Sequence, residues 1–254
     1  MQFTEFKLNN NVLEAIKDVG YEVATPIQQK AIPLILEGRD LVGCAQTGTG
    51  KTAAFAIPII NNIHKIVGSA KKRKLIRTIV LTPTRELAIQ IEENFKKYAQ
   101  FTSIKTLVLY GGVNQVPQVD ALKSGIDVLV TTPGRFLDLY KQEKINLDHV
   151  HQLVIDEADL MLDMGFIQEV DYIASRMTEK LQMLVFSATI PEKLKPFLQK
   201  YMENPRYFQV DPAQITAQKI EHILIALRHR NKIHVLHEVI TASNPYLALI
   251  FTNT

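Results

Sequence analysis

Residues 45–52 read Ala45-Gln46-Thr47-Gly48-Thr49-Gly50-Lys51-Thr52, and the architecture can be worked out from this stretch. The apolar run before it, at 40–45, is typical of a buried strand, and residues 52–66 have the pattern of a helix. We expect Pro58 to interrupt that helix. A strand, a glycine-rich loop and a helix in this order are typical of a loop that binds phosphate at the positive end of a helix.

The residue types in this loop fit the phosphates of a nucleotide. Gly48 and Gly50 let the backbone curl so that its N–H groups face phosphate oxygens. Lys51 offers a positive charge to the β and γ phosphates, and Thr52 can place a hydroxyl on Mg²⁺. The strictest form of such a loop begins with glycine, whereas this one begins with Ala45. The sequence therefore predicts a site for a nucleoside triphosphate.

A second motif, Asp156-Glu157-Ala158-Asp159, follows an apolar run at 151–156. A carboxylate at the end of a strand can hold Mg²⁺, which is the role we expect for Asp156. Glu157 can then orient or deprotonate the attacking water. Alternatively, Asp156 or Asp159 caps the following helix. The phosphate loop upstream favours the catalytic interpretation, with Lys51, Asp156 and Glu157 as the catalytic residues.

The composition is that of an ordinary soluble chain. Of 254 residues, 46% are hydrophobic and 22% are charged, and the formal net charge is only +3. Affinity for nucleic acid must therefore come from local patches. The single cysteine, Cys44, excludes an intramolecular disulfide and fits a reducing compartment. With no signal-like N-terminus and no apolar stretch of membrane-spanning length, we expect a cytoplasmic protein without membrane contact.

Short apolar runs alternate with helical patterns along most of the chain. Such alternation predicts an α/β fold with a mostly parallel sheet and helices on both faces. Ligands should then collect beyond the carboxyl ends of the strands, where both motifs lie. A clear helical pattern occupies 85–99, and a basic segment at 68–74 is interpreted as a surface loop. The predicted strands are 40–45, 77–82, 105–110, 127–132, 151–156, 181–187 and 206–210.

The sequence pattern changes after residue 210, so we assign 1–210 to one domain and 211–218 to a linker. The remainder, 219–254, contains a strand-like run at 220–227, a helix at about 230–241 and a strand-like run at 246–252. These elements are too few to bury a core. We therefore expect 219–254 to be the truncated beginning of a second domain.

With these residues in place, the chain resembles the first RecA-like domain of the DEAD-box family of ATP-dependent RNA helicases. The tetrad at 156–159 gives that family its name. The resemblance is dense over 1–210 and looser over 211–254. It implies ATP and Mg²⁺ as cofactors, and RNA-stimulated hydrolysis coupled to local separation of RNA strands.

The resemblance also extends to an adenine-recognition segment that ends at Gln28. In that family Gln28 would bond the adenine edge, and Phe3, rather than Phe6, would stack on the ring. Tyr21 and Thr25 belong to the same segment. Thr25 and the proline after it can also be the start of a helix, and both interpretations can hold together.

Three further motifs resemble the family's contacts to the RNA backbone, and each follows a predicted strand. Hydroxyls, glycine N–H groups and guanidinium groups suit phosphate and ribose oxygens, which predicts binding without sequence preference. Helix caps and a turn are the alternative interpretation of these motifs. The residues are Pro83, Thr84, Arg85, Gly111, Gly112, Thr132, Pro133, Gly134 and Arg135.

Ser187-Ala188-Thr189 resembles the segment that couples hydrolysis to strand separation in the family. The family's remaining functional residues belong to a second RecA-like domain, the expected partner in a full-length chain. We therefore expect these 254 residues alone to bind nucleotide weakly, to show little RNA-stimulated hydrolysis and to unwind nothing. The competing hypotheses are a related ATPase that acts on DNA and a non-enzymatic RNA-binding module.

Overall fold

The computed structural model describes residues 1–67, 75–177, 181–210, 223–227 and 231–252. The chain divides into two units, Met1–Ile215 and Thr216–Thr254. The basic segment at 68–74 and the proposed linker at 211–218 lie outside the described residues.

A seven-stranded sheet forms the centre of the first unit in the described part of the chain, and every pairing in it is parallel. The strand order is β3-β4-β2-β5-β6-β1-β7. Each strand coincides with a predicted one, so the predicted parallel α/β fold is confirmed. The strands are β1 (Leu41–Cys44), β2 (Thr78–Leu81), β3 (Thr106–Leu109), β4 (Val128–Thr131), β5 (Gln152–Ile155), β6 (Gln182–Ser187) and β7 (Arg206–Gln209).

Helices connect the strands and cover the sheet. In the first unit they are α1 (Asn10–Asp18), α2 (Pro26–Leu36), α3 (Lys51–Val67), α4 (Arg85–Ala99), α5 (Val116–Lys123), α6 (Pro133–Lys141), α7 (Ala158–Asp163), α8 (Ile167–Ser175) and α9 (Lys195–Tyr201). The expected interruption at Pro58 is wrong, because α3 continues through it. Proline removes one backbone hydrogen bond, but α3 is packed against α2 and α4, and that packing holds the helix together.

The two faces of the sheet each carry an apolar core, because side chains alternate between the faces along every strand. Leu41 packs into the core with α1 to α4, whereas its neighbour Val42 packs into the core with α6, α8 and α9. Val80 and Ile79 divide in the same way. This arrangement explains why the strands have continuous apolar sequences.

A chain of buried hydrogen bonds ties together the amino ends of three strands. Thr78 of β2 donates its hydroxyl to Gln152 of β5 over 2.9 Å, and Gln152 donates to Gln182 of β6 over 2.7 Å. Gln182 in turn donates to the carbonyl of Arg39, just before β1, over 2.9 Å. These bonds fix the register of the central strands and so the heights at which their carboxyl ends emerge.

In the second unit, the described residues form one helix, α10 (Lys232–Ser243), which Asn231 caps by accepting a hydrogen bond from the Ile233 N–H. The helix was expected at 230–241. The strands expected at 220–227 and 246–252 are wrong where the chain is described, since 223–227 and 246–252 have no strand structure. A strand needs a neighbouring strand to bond its backbone. The assignment of 219–254 to the start of a second domain stays a prediction.

The carboxyl ends of the strands fall into two groups. The phosphate-loop half consists of the ends of β1, β5 and β6, which lead into 45–52, 156–159 and 187–189. The rim half consists of the neighbouring ends of β2, β4 and β3, which lead into 83–85, 132–135 and 111–112. Among the described residues, no helix combines the length and the apolar character needed to cross a membrane.

Candidate functional site

The loop at 45–52 is shaped by two glycines with left-handed backbones. Gly48 has φ +82° and Gly50 has φ +93°, conformations that other residues rarely adopt. The Thr49 hydroxyl donates to the carbonyl of Gln46 over 2.8 Å and closes the loop on itself. Helix α3 begins at Lys51, so the loop presents the positive end of that helix. The backbone is therefore ready to receive an anion.

The charge of Lys51 is paired inside the protein. Its Nζ lies 2.8 Å from Oε1 of Glu157, and the two side chains are only 5% and 11% exposed. Glu157 has φ 53° and ψ 51°, a left-handed backbone that is uncommon outside glycine, asparagine and aspartate. The structure thus brings together the lysine of the phosphate loop and the second acid of the tetrad.

Asp156 lies beside this pair and is fully enclosed. Burial raises the pKa of Asp156 to about 7, with Lys51 acting to lower it and Glu157 to raise it. The Glu157 N–H donates to Asp156 Oδ1 over 3.1 Å. The alternative helix-cap interpretation holds in part: Asp159, in the first turn of α7, accepts the Leu160 N–H on its Oδ1 over 3.0 Å, whereas Glu157 at the N-cap position makes no capping bond with its side chain.

A cleft of about 290 Å³ joins these groups. The predicted residues Phe3, Thr25, Gln28, Ala45, Gln46 and Thr49 do not line it. Conversely, residues of α4 form one wall of the cleft, and they were not predicted from the sequence. The α4 residues that line the cleft recur at helical spacing, but spacing alone does not show which cavity that face of the helix lines. The lining residues are Tyr21, Thr47, Gly48, Gly50, Lys51, Thr52, Ala53, Leu87, Gln90, Ile91, Asn94, Tyr98, Asp156 and Glu157.

Of the two tyrosines that line this cleft, Tyr21 is exposed and Tyr98 is buried. Phe3, expected to stack on adenine, is only 3% exposed and packs in the core. Tyr21 lies against it, with ring centroids 6.1 Å apart and planes inclined by 21°, and is itself 37% exposed. The hydroxyl of Tyr21 lies 3.3 Å from that of Tyr98. The stacking role expected of Phe3 therefore fits Tyr21 better.

Gln28 connects the adenine-recognition segment to the phosphate loop. Its Oε1 accepts the Thr25 N–H over 2.9 Å at the start of α2, and its Nε2 donates to the Gly50 carbonyl over 3.3 Å. A Cβ at Gly50 would lie 2.5 Å from Gln28 Nε2. Both ends of the carboxamide are thus bonded to the protein. The expected bond from Gln28 to adenine stays a prediction.

The segment at 187–189 is bonded to the last acid of the tetrad. Thr189 donates both its N–H and its hydroxyl to Asp159 Oδ2, over 2.8 and 2.9 Å, and the Asp159 N–H donates to Ser187 Oγ over 3.0 Å. Burial acts to raise the pKa of Asp159, but the hydrogen bonds with Ser187 and Thr189 outweigh it and lower the pKa. The carbonyl of Ala188 accepts a hydrogen bond from Cys44 over 2.9 Å, which ties this segment to β1.

The rim half presents mainly backbone and exposed groups. Arg85 is exposed, with its guanidinium 4.8 Å from the centre of the Tyr110 ring. Gly111, Gly112 and Gly134 are exposed, whereas Pro83 and Pro133 are buried. The cap alternative holds in part: the Thr84 hydroxyl accepts the Leu87 N–H over 3.3 Å, and Thr132 takes the N-cap position of α6 without a capping bond.

Arg135 differs from the other predicted rim residues because its side chain turns under the loop that follows β3. It is only 9% exposed there, and it donates to the carbonyl of Val113 over 3.0 Å and to Oε1 of Gln118 over 3.4 Å. Gln118 also donates to the carbonyl of Tyr110 over 3.3 Å. In this geometry Arg135 holds the Gly111–Gly112 loop in place.

A family model described as DEAD/DEAH box helicase matches residues 25–197 of this chain, which include both motifs of the cleft. The chain belongs to the DEAD/DEAH box helicase family. This confirms the family predicted from the motifs. The match also covers the three rim motifs and the segment at 187–189.

Curated relatives and a solved structure agree with this membership. The chain is 45% identical to the DEAD-box ATP-dependent RNA helicase CshB of Bacillus subtilis, over all of this chain and 57% of the relative. It is 38% identical to the DEAD-box ATP-dependent RNA helicase CshA of Geobacillus kaustophilus, over 99% of this chain and 53% of the relative. The crystal structure of a DEAD box protein from the hyperthermophile Methanococcus jannaschii matches 94% of this chain and 63% of its own, with a TM-score of 0.77 and 36% identity. The chain spans about half the length of the curated relatives it matches.

Proposed function

We propose that this chain is the first RecA-like domain of an ATP-dependent RNA helicase, and that it supplies the nucleotide site and one part of the RNA site. The observation that carries this proposal is the meeting of Lys51, Thr52, Asp156 and Glu157 in one cleft at the start of α3. ATP hydrolysis and strand separation by the whole protein are part of the proposal, as is its second RecA-like domain.

The cleft fits Mg²⁺ bound together with phosphates. Thr52 and Asp156 both line it and offer the oxygen ligands that this ion prefers. Among the described residues, no three His, Cys, Asp or Glu side chains form a metal site, as expected where phosphates and water complete the coordination. When bound, Mg²⁺ neutralises charge on the transferred phosphoryl group.

The Lys51–Glu157 pair indicates how the site changes when nucleotide binds. Phosphate oxygens at the loop compete with Glu157 for the Lys51 ammonium group. Once Lys51 turns to phosphate, the Glu157 carboxylate is released to accept a hydrogen bond from the attacking water. In the absence of a triphosphate, the ion pair with Lys51 therefore keeps Glu157 from accepting a hydrogen bond from water.

We place RNA along the rim half. Exposed glycine backbone at 111–112 and the guanidinium of Arg85 suit phosphate oxygens, and such contacts carry no base information. The names of the relatives, which are RNA helicases, favour RNA over the DNA alternative. The expected cytoplasmic location has no further support and stays a prediction.

Calorimetric titration of the chain with Mg²⁺ and either ATP or GTP tests the nucleotide site. We expect measurable ATP binding, weaker GTP binding, and loss of ATP binding in Lys51→Ala. Equal affinity for the two nucleotides would contradict adenine recognition. A second experiment separates the RNA and DNA hypotheses. It measures ATP hydrolysis by the longer protein in the presence of single-stranded RNA or of single-stranded DNA of the same sequence.

The non-enzymatic hypothesis is tested with Glu157→Gln in the longer protein. We expect this variant to bind ATP and to lose hydrolysis, because the carboxylate that orients water is gone. Unchanged turnover would remove Glu157 from the mechanism. An absence of turnover in the unsubstituted protein, with RNA binding intact, would favour a binding module.

A further inference from the structure

Two adjoining depressions lie at the amino ends of the strands, and the first of them lies beside β3 at the free edge of the sheet. The first, of about 340 Å³, lies between the end of α4, the start of β3 and the end of α5. The second, of about 410 Å³, continues past the end of α5 towards the segment before β5. Both are lined by Ser124 and Ile126, so they form one continuous surface, which we call the edge groove.

The edge groove is cationic. Four lysines line it, Lys96, Lys105, Lys123 and Lys144, and no aspartate or glutamate is among the described residues that do so. Lys96 is paired with Glu92 and Lys123 with Asp120. Lys105 and Lys144 are exposed, and in the described part of the chain neither has a carboxylate within ion-pair distance. Two positive charges are thus available to a ligand.

The other lining side chains are a mixture of aliphatic and uncharged polar groups. Ile104 and Leu107 line the first depression, Ile76 and Leu122 line the second, and Ile126 lies between them. No Phe, Tyr or Trp is among the described residues that line the groove, and its one described ring, the exposed His149, lies in the second depression, so the first depression offers nucleic-acid bases no ring on which to stack. Aliphatic surface with lysines around it instead suits a peptide whose side chains are alternately apolar and acidic.

The backbone of β3 favours an extended ligand. Among the described strands, β3 is at the end of the sheet and pairs with β4 alone. The carbonyls of Lys105 and Leu109 accept hydrogen bonds from Asp127 and Thr132, on the β4 side. Because strand residues alternate in direction, the N–H and carbonyl groups of Thr106 point to the free edge. Exposed edges of this kind can accept an added strand.

We propose that the edge groove binds an extended, acidic segment of a partner protein, which adds to β3 as a further strand. In this arrangement the apolar side chains of the segment lie on the aliphatic floor, and its carboxylates meet Lys105 and Lys144. The site lies by the amino end of β3, away from the cleft and the rim, so a partner held there leaves the carboxyl edge of the sheet accessible.

The test uses the 254-residue chain and a fluorescein-labelled peptide of alternating glutamate and valine, with binding measured by anisotropy. We expect saturable binding that weakens with salt. The double variant Lys105→Glu/Lys144→Glu should weaken it by about tenfold or more. The matched control, Lys97→Glu/Lys141→Glu, makes the same change in charge at exposed lysines outside the groove and should leave the affinity within about twofold.

A second peptide, N-methylated at every other amide, tests the strand addition without altering the protein. It keeps its charge but cannot pair with β3, and it should lose most of the affinity. Equal effects of the two double variants would overturn the proposal, because net charge alone would then explain binding. It would also be overturned if single-stranded RNA, and not the peptide, lost affinity in the groove variant.

Discussion

At the phosphate-loop half of the carboxyl edge, the charged side chains are bonded to partners within the protein, and Lys51, Asp156 and Glu157 are buried, whereas at the rim half the Arg85 side chain and the glycine backbone are exposed. Lys51 is paired with Glu157, and Asp159 with Thr189. Across the sheet, the exposed groups are those of Arg85 and the glycines at 111–112. Two sites at one edge of the sheet therefore differ in how their binding groups are held: in internal bonds at the phosphate-loop half, and exposed to solvent at the rim half.

The contrast follows from what each half has to bind. A buried charge is expensive unless it is paired, so the phosphate-loop half holds its charges in internal pairs until a ligand replaces a partner. The rim half holds backbone N–H groups and a solvated guanidinium, which lose little when no ligand is present. Substitutions in the first half should change stability and nucleotide binding together. Substitutions in the second should change RNA affinity alone.

The largest effect is expected from breaking the buried pair. Lys51→Met leaves the Glu157 carboxylate enclosed without its partner, and the free energy of unfolding should fall by about 3 kcal/mol. Urea denaturation of the nucleotide-free chain measures this. The double variant Lys51→Met/Glu157→Gln removes both charges and should recover a large part of the loss. A double variant as unstable as the single one would show that the pair is not what stabilises this half.

Gly50→Ala should have the next largest effect, because two penalties combine. Its φ of +93° disfavours any side chain, and the new Cβ would lie 2.5 Å from Gln28 Nε2. Gly48→Ala is the matched control, since Gly48 has φ +82° but nothing within 4 Å of its Cβ position. We expect Gly48→Ala to cost about 1 kcal/mol and Gly50→Ala about twice that, with a greater loss of ATP affinity.

Combining Gly50→Ala with Gln28→Ala isolates the contact between the two segments. The double variant should be more stable than the sum of the two single changes predicts, because the clash disappears with the carboxamide. Strict additivity in denaturation experiments would mean that the backbone angle alone explains the effect of Gly50→Ala.

The fold and the meeting of the motifs could be predicted from sequence because both rest on local patterns. Strands covered on two faces are continuous apolar runs, such as 78–81, and can be recognised one at a time. In a parallel sheet their carboxyl ends must share an edge. Motifs at 45–52 and 156–159 were therefore expected at one edge, once both followed strands, and the strand order places them in the same half of it.

What could not be predicted depends on contacts between distant segments. Nothing local shows that Tyr21 covers Phe3, or that Arg135 turns inward to the Val113 carbonyl. The continuity of α3 at Pro58 results from packing by its neighbours. In the second unit, apolar patterns at 220–227 and 246–252 predicted strands that the described residues do not form. An apolar pattern does not by itself provide the neighbouring strand that a strand must pair with.

A smaller effect is expected from substituting the exposed Tyr21, and it tests whether this residue belongs to the nucleotide site of the phosphate-loop half. If Tyr21 stacks on adenine, Tyr21→Ala should weaken ATP binding by about tenfold, as expected for the loss of one stacked base, whereas Tyr21→Phe should retain it. Phe3→Leu should lower the thermal midpoint and leave the ATP affinity nearly unchanged, because Phe3 is a core residue. Calorimetry and thermal melts on the same samples measure both. The reverse result would return the stacking role to Phe3.

The smallest effect separates the two arginines of the rim half. A residue that contacts RNA phosphate contributes to the salt dependence of binding, whereas one that positions a loop does not. For single-stranded RNA, Arg85→Ala should reduce the slope of log affinity against log salt concentration by about 0.7. Arg135→Ala should weaken binding at every salt concentration with the slope unchanged, because it frees the Val113 carbonyl and loosens the Gly111–Gly112 loop. A reduced slope in Arg135→Ala would show that this guanidinium leaves its buried position to meet the RNA, and the rim half would then resemble the phosphate-loop half in exchanging an internal partner for a ligand.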